Sequence, residues 1–400
     1  MKRICGALIF LFSLGSIAAP GSAAPADSAL RASLQRDLND YLAARAKVEH
    51  ISAISLSIDL HGPGPNINVT AGHAQYGGEG AGVTPDDLWQ IGSNTKAFTA
   101  AAILQLEAEG KLRIDQTVGQ WLPQYPAWKN VTIHRLLDMT SGIPGYDNVP
   151  AMWAPYIRDP KHNYTAADLI AYVYPGKPHA PPPTKGYDYS NTNYLLAELI
   201  IERATGHSYA SEIEQRFFQK LGLNDTYYSG TIYPADVRDR MVSGYFFSHD
   251  ADNAALRPIL GRDVRNDSVS WMKSAGAIVS TPQDMTIWAR ALYTGSILRP
   301  KQRAELLSIV STKSGEPIAK TTLSDSRGFG LGVAQMTTPQ TGTIWFYEGM
   351  TLGYRMVHVY LPQQDVVFAF GLNSQSDSKE NQSGKLALTI YDTLHAARKI

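Results

Sequence analysis

The sequence predicts an α+β fold in which both ends of the chain build one antiparallel sheet, with flanking helices and an inserted, mainly helical domain. Alternating, β-branched runs occur near both ends of the 400-residue chain, and each end also has a helix with regularly spaced apolar residues. Helical patterns joined by Pro- and Gly-rich loops fill the middle. The hydrophobic content of 44% is ordinary for a packed protein and argues against wholesale disorder.

The extreme N-terminus has the pattern of a secretory signal peptide. Two basic residues precede an apolar run over 4–14, and small residues follow through Ala24. The run is short for a membrane span, although a retained anchor helix is the alternative interpretation. Cleavage after residue 24 would remove the only cysteine, Cys5, and leave two more acidic than basic residues. We therefore predict a signal peptide over 1–24, a periplasmic or secreted protein without a stable membrane span, and no thiol chemistry.

The N-terminal end of the mature chain predicts one helix and two strands. Apolar residues recur at helical spacing over 27–48. An alternating run over 51–60, a Gly/Pro turn over 61–65 and a second run over 67–71 then predict a strand pair.

The C-terminal end mirrors this pattern. Strand-like runs at 354–361 and 366–372 surround a turn, and a closing helix places Leu386, Ile390 and Leu394 on one face. Such matching ends can share one sheet.

The middle of the chain is mainly helical. Its predicted helices lie at 96–109, 132–139, 166–174 and 193–205. The loop over 175–186 contains five prolines, so it must be extended and stiff. We therefore expect one domain over 25–400, with an α/β part formed by 25–92 and 275–400 and a mainly helical part over 93–274.

The composition excludes several classes of function. Equal numbers of basic and acidic residues, 36 of each, give no electrostatic reason to expect nucleic acid as a partner. The ten histidines are scattered, and no metalloprotease or phosphate-loop motif occurs, so no metal or cofactor is expected. The nucleophile elbow of α/β-hydrolases is also absent. The expected partner is a small-molecule or peptide substrate.

Ser93 and Lys96 form a Ser-x-x-Lys pattern at the start of the Ala-rich helix. A spacing of three places both on one helix face, and the helix N-terminus adds free N–H groups and a positive potential beside the hydroxyl. A neutral lysine can activate the serine if its pKa is lowered by burial. The same pattern at 270–273 and 376–379 lies in less suitable contexts, because only Ser93 opens a long apolar helix.

A Tyr-x-Asn pattern, Tyr189 to Asn191, stands between the stiff loop and a helix. A tyrosine can act as a base only if cations hold its phenolate, and an asparagine can hydrogen-bond both a lysine and a substrate amide. A packing tyrosine and a helix-capping asparagine are the alternative interpretation. A second Tyr-x-Asn, at 146–148, is interpreted as a chance match.

The order of these motifs resembles that of the serine β-lactamase and penicillin-binding-protein superfamily. Further stretches that resemble it lie at 89–112, 136–143, 275–284 and 328–332. The likeness is greatest to serine D-alanyl-D-alanine carboxypeptidases and class C β-lactamases, particularly at 189–193 and 269–271. The resemblance implies a β-lactamase/transpeptidase-like fold.

The resemblance also implies roles for individual residues. Ser93 would be the acylated nucleophile, and Lys96 would share its proton. Tyr189 would activate Ser93 and later a water, while Asn191 would position Lys96 and the substrate amide. The oxyanion hole would use the backbone N–H groups of Ser93 and Met350.

The third motif departs from the superfamily pattern, Lys-Thr-Gly or His-Thr-Gly. The matching substrate-binding positions are Tyr347, Glu348 and Gly349, so the usual cation is absent there. No arginine follows 328–332, as it does in the carboxypeptidases. Glu348 is predicted to repel a substrate carboxylate. The Lys-Ser-Gly at 313–315 imitates the motif in the wrong place and is predicted to be a surface loop.

We therefore expect an exported serine hydrolase that forms an acyl-enzyme on Ser93. The resemblance favours a D-alanyl-D-alanine carboxypeptidase-like peptidase or amidase, with a substrate that could derive from peptidoglycan. The third motif favours the alternative, a carboxylesterase, since Tyr347 resembles the aromatic residue found there in some superfamily esterases. A class C-like β-lactamase is a weaker alternative, because penicillins have a carboxylate. The weakest is a catalytically silent binding protein, which would not need to keep both motifs.

Overall fold

The computed structural model describes residues 25–62, 64–78, 80–178 and 180–400, so the predicted signal peptide at 1–24 lies outside the described residues. The strands are Ala53–Asp59 (β1), Ile67–Gly72 (β2), Trp89–Gln90 (β3), Tyr227–Tyr228 (β4), Tyr245–Phe246 (β5), Ile278–Ser280 (β6), Ile309–Ser311 (β7), Pro317–Ile318 (β8), Arg327–Phe329 (β9), Ala334–Thr338 (β10), Gly342–Met350 (β11), Arg355–Leu361 (β12), Val366–Leu372 (β13) and Ser374–Gln375 (β14).

The α-helices are Pro25–Glu49 (α1), Thr95–Ala108 (α2), Val118–Trp121 (α3), Ile133–Leu137 (α4), Pro150–Arg158 (α5), Ala166–Ala171 (α6), Asn191–Thr205 (α7), Tyr209–Ile213 (α8), Gln219–Leu221 (α9), Ala235–Asp239 (α10), Pro282–Thr294 (α11), Pro300–Leu306 (α12) and Ser383–Ala396 (α13). None of the helices in these described ranges is long and apolar enough to cross a lipid bilayer.

A nine-stranded antiparallel sheet forms the centre of the fold, in the order β2-β1-β13-β12-β11-β10-β9-β7-β8. Strands β1 and β2 come from the N-terminal end, and the other seven come from 309–372. Strand β1 pairs with β13, with Ile54 opposite Leu372. The predicted α+β fold, with one sheet built from both chain ends, is therefore confirmed.

Helices α1 and α13 cover the outer face of this sheet. In α1 the predicted apolar positions include Leu30, Leu34 and Leu38, which are fully buried together with apolar residues of α13 and of the central strands. Burying a leucine side chain stabilises a fold by roughly 1.5–3 kcal/mol, so this face fixes both chain ends on the sheet.

Helices α2 and α11 lie on the inner face. The Ala-rich sequence of α2 lets its neighbours approach closely, and the Phe98 ring stacks on Trp288 of α11 with their centroids 3.6 Å apart. Helix α7 packs on the other side of α2. The N-terminal end of α2 is thereby held between the sheet and the helical insertion.

Candidate active site

Ser93 lies in a short 3-10 turn, Gly92–Asn94, that leads directly into α2. Strand β11 passes very close to this turn. A Cβ atom on Gly92, whose φ is +52°, would lie 2.6 Å from the Met350 carbonyl oxygen, and one on Gly349 would lie 2.0 Å from the carbonyl oxygen of Ile91, just before the turn. Glycine is therefore required at both positions for the strand to reach the nucleophile.

A buried histidine supports the turn from behind. The Asn94 side-chain amide donates to two backbone carbonyls, so its Oδ1 must accept the 2.7 Å hydrogen bond from His358 Nδ1. Burial lowers the pKa of His358 to about 3, which keeps the ring neutral. His358 Nε2 then accepts from the Tyr293 hydroxyl at 2.9 Å. These residues therefore fix the orientation of the turn without adding charge.

The structure brings three of the predicted site residues together at the Ser93 hydroxyl. Ser93 Oγ accepts hydrogen bonds from Lys96 Nζ at 3.0 Å and from the Tyr189 hydroxyl at 2.8 Å. The Tyr189 hydroxyl also lies 3.1 Å from the Tyr347 hydroxyl. A continuous set of side chains thus connects Lys96, the predicted nucleophile and the third motif.

Burial decides which of these groups can accept a proton. Lys96 is fully buried, and this lowers its pKa to about 7, although Asp147 acts in the opposite direction. Burial raises the pKa of Tyr189 above its ordinary value, and the hydrogen bonds that it makes with Ser93 and Tyr347 offset only part of the effect. Near neutral pH Tyr189 therefore keeps its proton, while a large fraction of Lys96 is neutral. Lys96 is the group suited to take the Ser93 proton.

We expect kcat/KM to rise with pH through a midpoint near 7. Below that midpoint Lys96 is protonated and cannot accept a proton, and above it the amine is free. The Asp147→Asn variant should move the midpoint to lower pH, because the carboxylate that raises the pKa of Lys96 is gone. A series of rate measurements between pH 5.5 and 9 checks this, and a profile that is flat across the range would contradict it.

The Met350 N–H points towards the cavity beside Ser93. The Thr351 N–H donates to the Tyr354 carbonyl at 2.9 Å across the β11–β12 turn. Hydrogen-bonded and non-hydrogen-bonded pairs alternate along an antiparallel ladder, so Met350, opposite Arg355, directs its N–H away from β12. Strand β10 pairs with β11 only as far as Phe346, which leaves that edge open. This geometry suits the predicted oxyanion hole.

Asn191 does not make the contact that the sequence analysis predicts for it. The sequence predicts that it positions Lys96, but its Nδ2 donates to Asp147 Oδ2 at 2.8 Å. Its Oδ1 is buried without a hydrogen-bond partner among the described residues. The prediction of an Asn191–Lys96 contact is therefore wrong for this structure. The buried, unpaired Oδ1 is an acceptor available to a substrate N–H.

Asp147 is a site residue that the sequence analysis missed. It belongs to the Tyr-x-Asn at 146–148, interpreted above as a chance match, yet it borders the same cavity as Ser93. Burial raises the pKa of its carboxyl above the ordinary value, and the hydrogen bond from Asn191 and the charge of Lys96 act against this. Tyr146 and Asn148, which carry the motif match, do not border the cavity, so only the residue between them lies at the site.

Glu348 borders the cavity, but its carboxylate is already bound. Its Oε1 accepts hydrogen bonds from Asn381 Nδ2 at 2.9 Å and from Ser383 Oγ at 2.8 Å, at the start of α13. Both donors are uncharged, so these contacts do not cancel the charge of a carboxylate, and the predicted repulsion of a substrate carboxylate stays a prediction. The Lys-Ser-Gly at 313–315 lies in a turn after β7, as predicted.

The cavity around Ser93 has a volume of about 520 Å³. Aromatic side chains form much of its wall, and they are Trp153, Tyr187, Tyr189, Trp271, Phe329, Phe346 and Tyr347. Charged residues at its border are Asp147, Arg327 and Glu348. A cavity of this size takes a small molecule or a short peptide.

The sequence model of one family, described as Beta-lactamase, matches residues 63–391. The chain belongs to the Beta-lactamase family. Within it, penicillin-binding protein 4* of Bacillus subtilis is 27% identical over 300 residues, which are 74% of this chain and 63% of that protein. Unguisins hydrolase ungD' of Aspergillus campestris is 27% identical over 52% of this chain and 39% of its own length. The chain thus spans less than two thirds of these relatives.

Solved structures of this Beta-lactamase fold cover nearly the whole chain. A D-stereospecific amidohydrolase from Streptomyces sp. is 25% identical, with a TM-score of 0.71 over 88% of this chain and 96% of its own. A D-amino acid amidase from Ochrobactrum anthropi SV3 is 23% identical, with a TM-score of 0.75 over 92% and 99%. These findings confirm the predicted superfamily and fold.

Proposed function

We propose that the protein is an exported amidase and peptidase that acts on D-amino acid derivatives through an acyl-enzyme on Ser93. The central observation is the hydrogen-bonded set of Lys96, Ser93 and Tyr189 inside a cavity of small-molecule size. The Streptomyces D-stereospecific amidohydrolase supports the substrate class. Export rests on the signal-peptide pattern at 1–24.

In the acylation step, neutral Lys96 takes the proton of Ser93 as Oγ forms a bond to the substrate carbonyl carbon. The oxyanion receives hydrogen bonds from the N–H groups of Ser93 and Met350, and each such donor contributes roughly 10²–10³-fold to turnover. The C–N bond breaks as the leaving nitrogen receives the proton that Lys96 holds. A water then replaces the leaving amine and attacks the acyl carbonyl carbon, while Lys96 takes one of its protons. The bond from that carbon to Ser93 Oγ breaks, Oγ receives the proton that Lys96 holds, and the acid is released.

Asp147 favours a substrate with a free α-ammonium group. Its carboxylate borders the cavity and is oriented by the Asn191 amide, whose free Oδ1 lies beside it. A charge-assisted hydrogen bond from an ammonium to this carboxylate would contribute roughly 1.5–3 kcal/mol. The same pair leaves an acceptor for the N–H of the substrate.

A panel of alanine amides tests the proposed function. We expect hydrolysis of D-alanine amide, slower hydrolysis of L-alanine amide, and a loss of about 10-fold or more for N-acetyl-D-alanine amide, which has no ammonium. The Asp147→Asn variant should lose as much on D-alanine amide and change little on the acetylated substrate. Ammonia release measures all reactions.

The panel also separates the alternatives. A carboxylesterase is favoured by the neutral Tyr347 in place of the third-motif cation, and it would cleave short-chain p-nitrophenyl esters without cleaving any amide. Rapid turnover of penicillin would instead indicate a β-lactamase. Either result without amide hydrolysis contradicts the proposal.

A further inference from the structure

The cavity has opposite charges on the two sides of the nucleophile. The segment 187–191 runs across the cavity, and every second residue in it contacts a different part of the site. Tyr187 packs against Phe329 with ring centroids 5.7 Å apart, Tyr189 contacts Ser93, and the next, Asn191, donates to the acidic residue at 147. The Phe329 side and the acidic side therefore lie at opposite ends, with the nucleophile between them.

Arg327 stands at the Phe329 end. It lies two residues before Phe329 on β9, so both side chains are on the same face of the sheet, about 7 Å apart along the strand. The Phe329 ring packs against Tyr189 and Tyr347 with centroids 6.3 and 6.0 Å away. Arg327 is exposed, borders the cavity and acts electrostatically on Tyr187. It is therefore placed on the rim next to the tyrosines of the site.

The charge of Arg327 is available to a ligand. In the described ranges it forms no ion pair with an acidic side chain. A guanidinium binds a carboxylate through two parallel N–H···O contacts, which suits a peptide C-terminus. The third motif has no cation of its own, and the Glu348 carboxylate is held by α13. The rim at β9 therefore has the positive charge that the third motif lacks.

The two halves of a substrate extend in opposite directions from the carbonyl that Ser93 attacks. If the ammonium of the acyl half lies at Asp147, the leaving half extends towards Arg327. We propose that Arg327 binds the C-terminal carboxylate of the leaving residue, and that the substrates are short zwitterionic peptides with both termini free. This inference rests on the proposed function and specifies the peptides on which the enzyme acts.

Two matched peptides test the inference. D-alanyl-D-alanine has the carboxylate, and D-alanyl-D-alanine amide differs only in lacking its charge. The Arg327→Gln variant should lower kcat/KM for the free peptide about 10–100-fold, mainly through KM, and change the peptide amide less than about 2-fold. Lys313→Gln is the matched control, because this exposed lysine lies in the nearby turn but does not border the cavity.

Each outcome decides the inference. Equal losses on both peptides, or no loss on either, would overturn it, since the guanidinium would then not bind the carboxylate. Wild-type hydrolysis of D-alanine amide without hydrolysis of D-alanyl-D-alanine would overturn it and leave the proposed amidase function intact. If the wild type hydrolyses none of the amides and peptides, the proposed function itself is rejected, and the inference with it.

Discussion

Replacing Ser93 with alanine is expected to lower kcat/KM by about 10⁴-fold or more on every substrate. Its Oγ is the atom on which Lys96 and Tyr189 converge, and the only thiol in the chain, Cys5, lies in the predicted signal peptide. Intact-protein mass spectrometry with a slowly hydrolysed ester should show one acyl adduct on the wild type and none on the variant.

The chain offers a matched control for this variant. Ser376 is also part of a Ser-x-x-Lys pattern, at 376–379, and its buried hydroxyl has no hydrogen-bond partner in the described part of the chain. Ser376→Ala should leave both activity and stability unchanged. Retention of more than a tenth of the wild-type rate by Ser93→Ala would mean that another group is the nucleophile.

The sequence was sufficient to predict those site residues that lie close together along the chain. Ser93 and Lys96 are one helical turn apart, so the pattern itself brings their side chains together. The sheet was equally predictable, because alternation along β1, β12 and β13 marks residues that must be buried. These features follow from backbone periodicity, which the sequence displays directly.

The residues that the sequence missed come together only through tertiary contacts. Asp147 becomes part of the site because the start of α7, 44 residues later, brings Asn191 against it. Arg327 is one of 36 basic residues until the pairing of β9 with β10 places this strand at the border of the cavity. His358 reaches Asn94 across 264 residues. No local pattern distinguishes these residues, because register and helix packing decide their neighbours.

The third motif shows both the strength and the limit of the sequence argument. The absence of a cation was evident from the residues at 347–349. Its consequence required the structure: the Tyr347 hydroxyl contacts Tyr189, and burial then keeps Tyr189 protonated. In the proposed mechanism Lys96, and not Tyr189, is therefore the base, which is the reason for the expected pH midpoint near 7.

Replacing Arg355 with methionine is expected to lower the free energy of unfolding by about 3–5 kcal/mol. Arg355 is 1% exposed, and its Nη1 lies 2.6 Å from Oε2 of the fully buried Glu49 at the end of α1. The same nitrogen donates to Asn381, which in turn holds Glu348. The variant would leave the Glu49 carboxylate buried, with Arg45 and Tyr41 as its remaining side-chain partners among the described residues.

The pH dependence identifies the cause of this loss. Burial alone would raise the pKa of Glu49, but Arg355, Arg45 and Tyr41 outweigh it and hold the pKa below the ordinary value. In the wild type this stabilisation is present above the ordinary glutamate pKa, about 4.3, and decreases as the pH falls through the lower folded-state pKa. In Arg355→Met the pKa of Glu49 should rise instead, so the difference between the two proteins should shrink on acidification.

Urea unfolding at neutral pH and near pH 4.3 measures both effects. The control is Arg113→Met, which removes an exposed ion pair with Asp115 and should cost less than about 1 kcal/mol. Adding Glu49→Gln to Arg355→Met should recover part of the loss, because no charge then remains buried without its partner. A loss that is equal at both pH values and unchanged in the double variant would show that Arg355 stabilises the β11–β12 turn by packing alone. The buried ion pair between Arg355 and Glu49 connects the two chain ends behind Met350. An Arg355→Met variant that kept its stability but lost activity would also contradict this account.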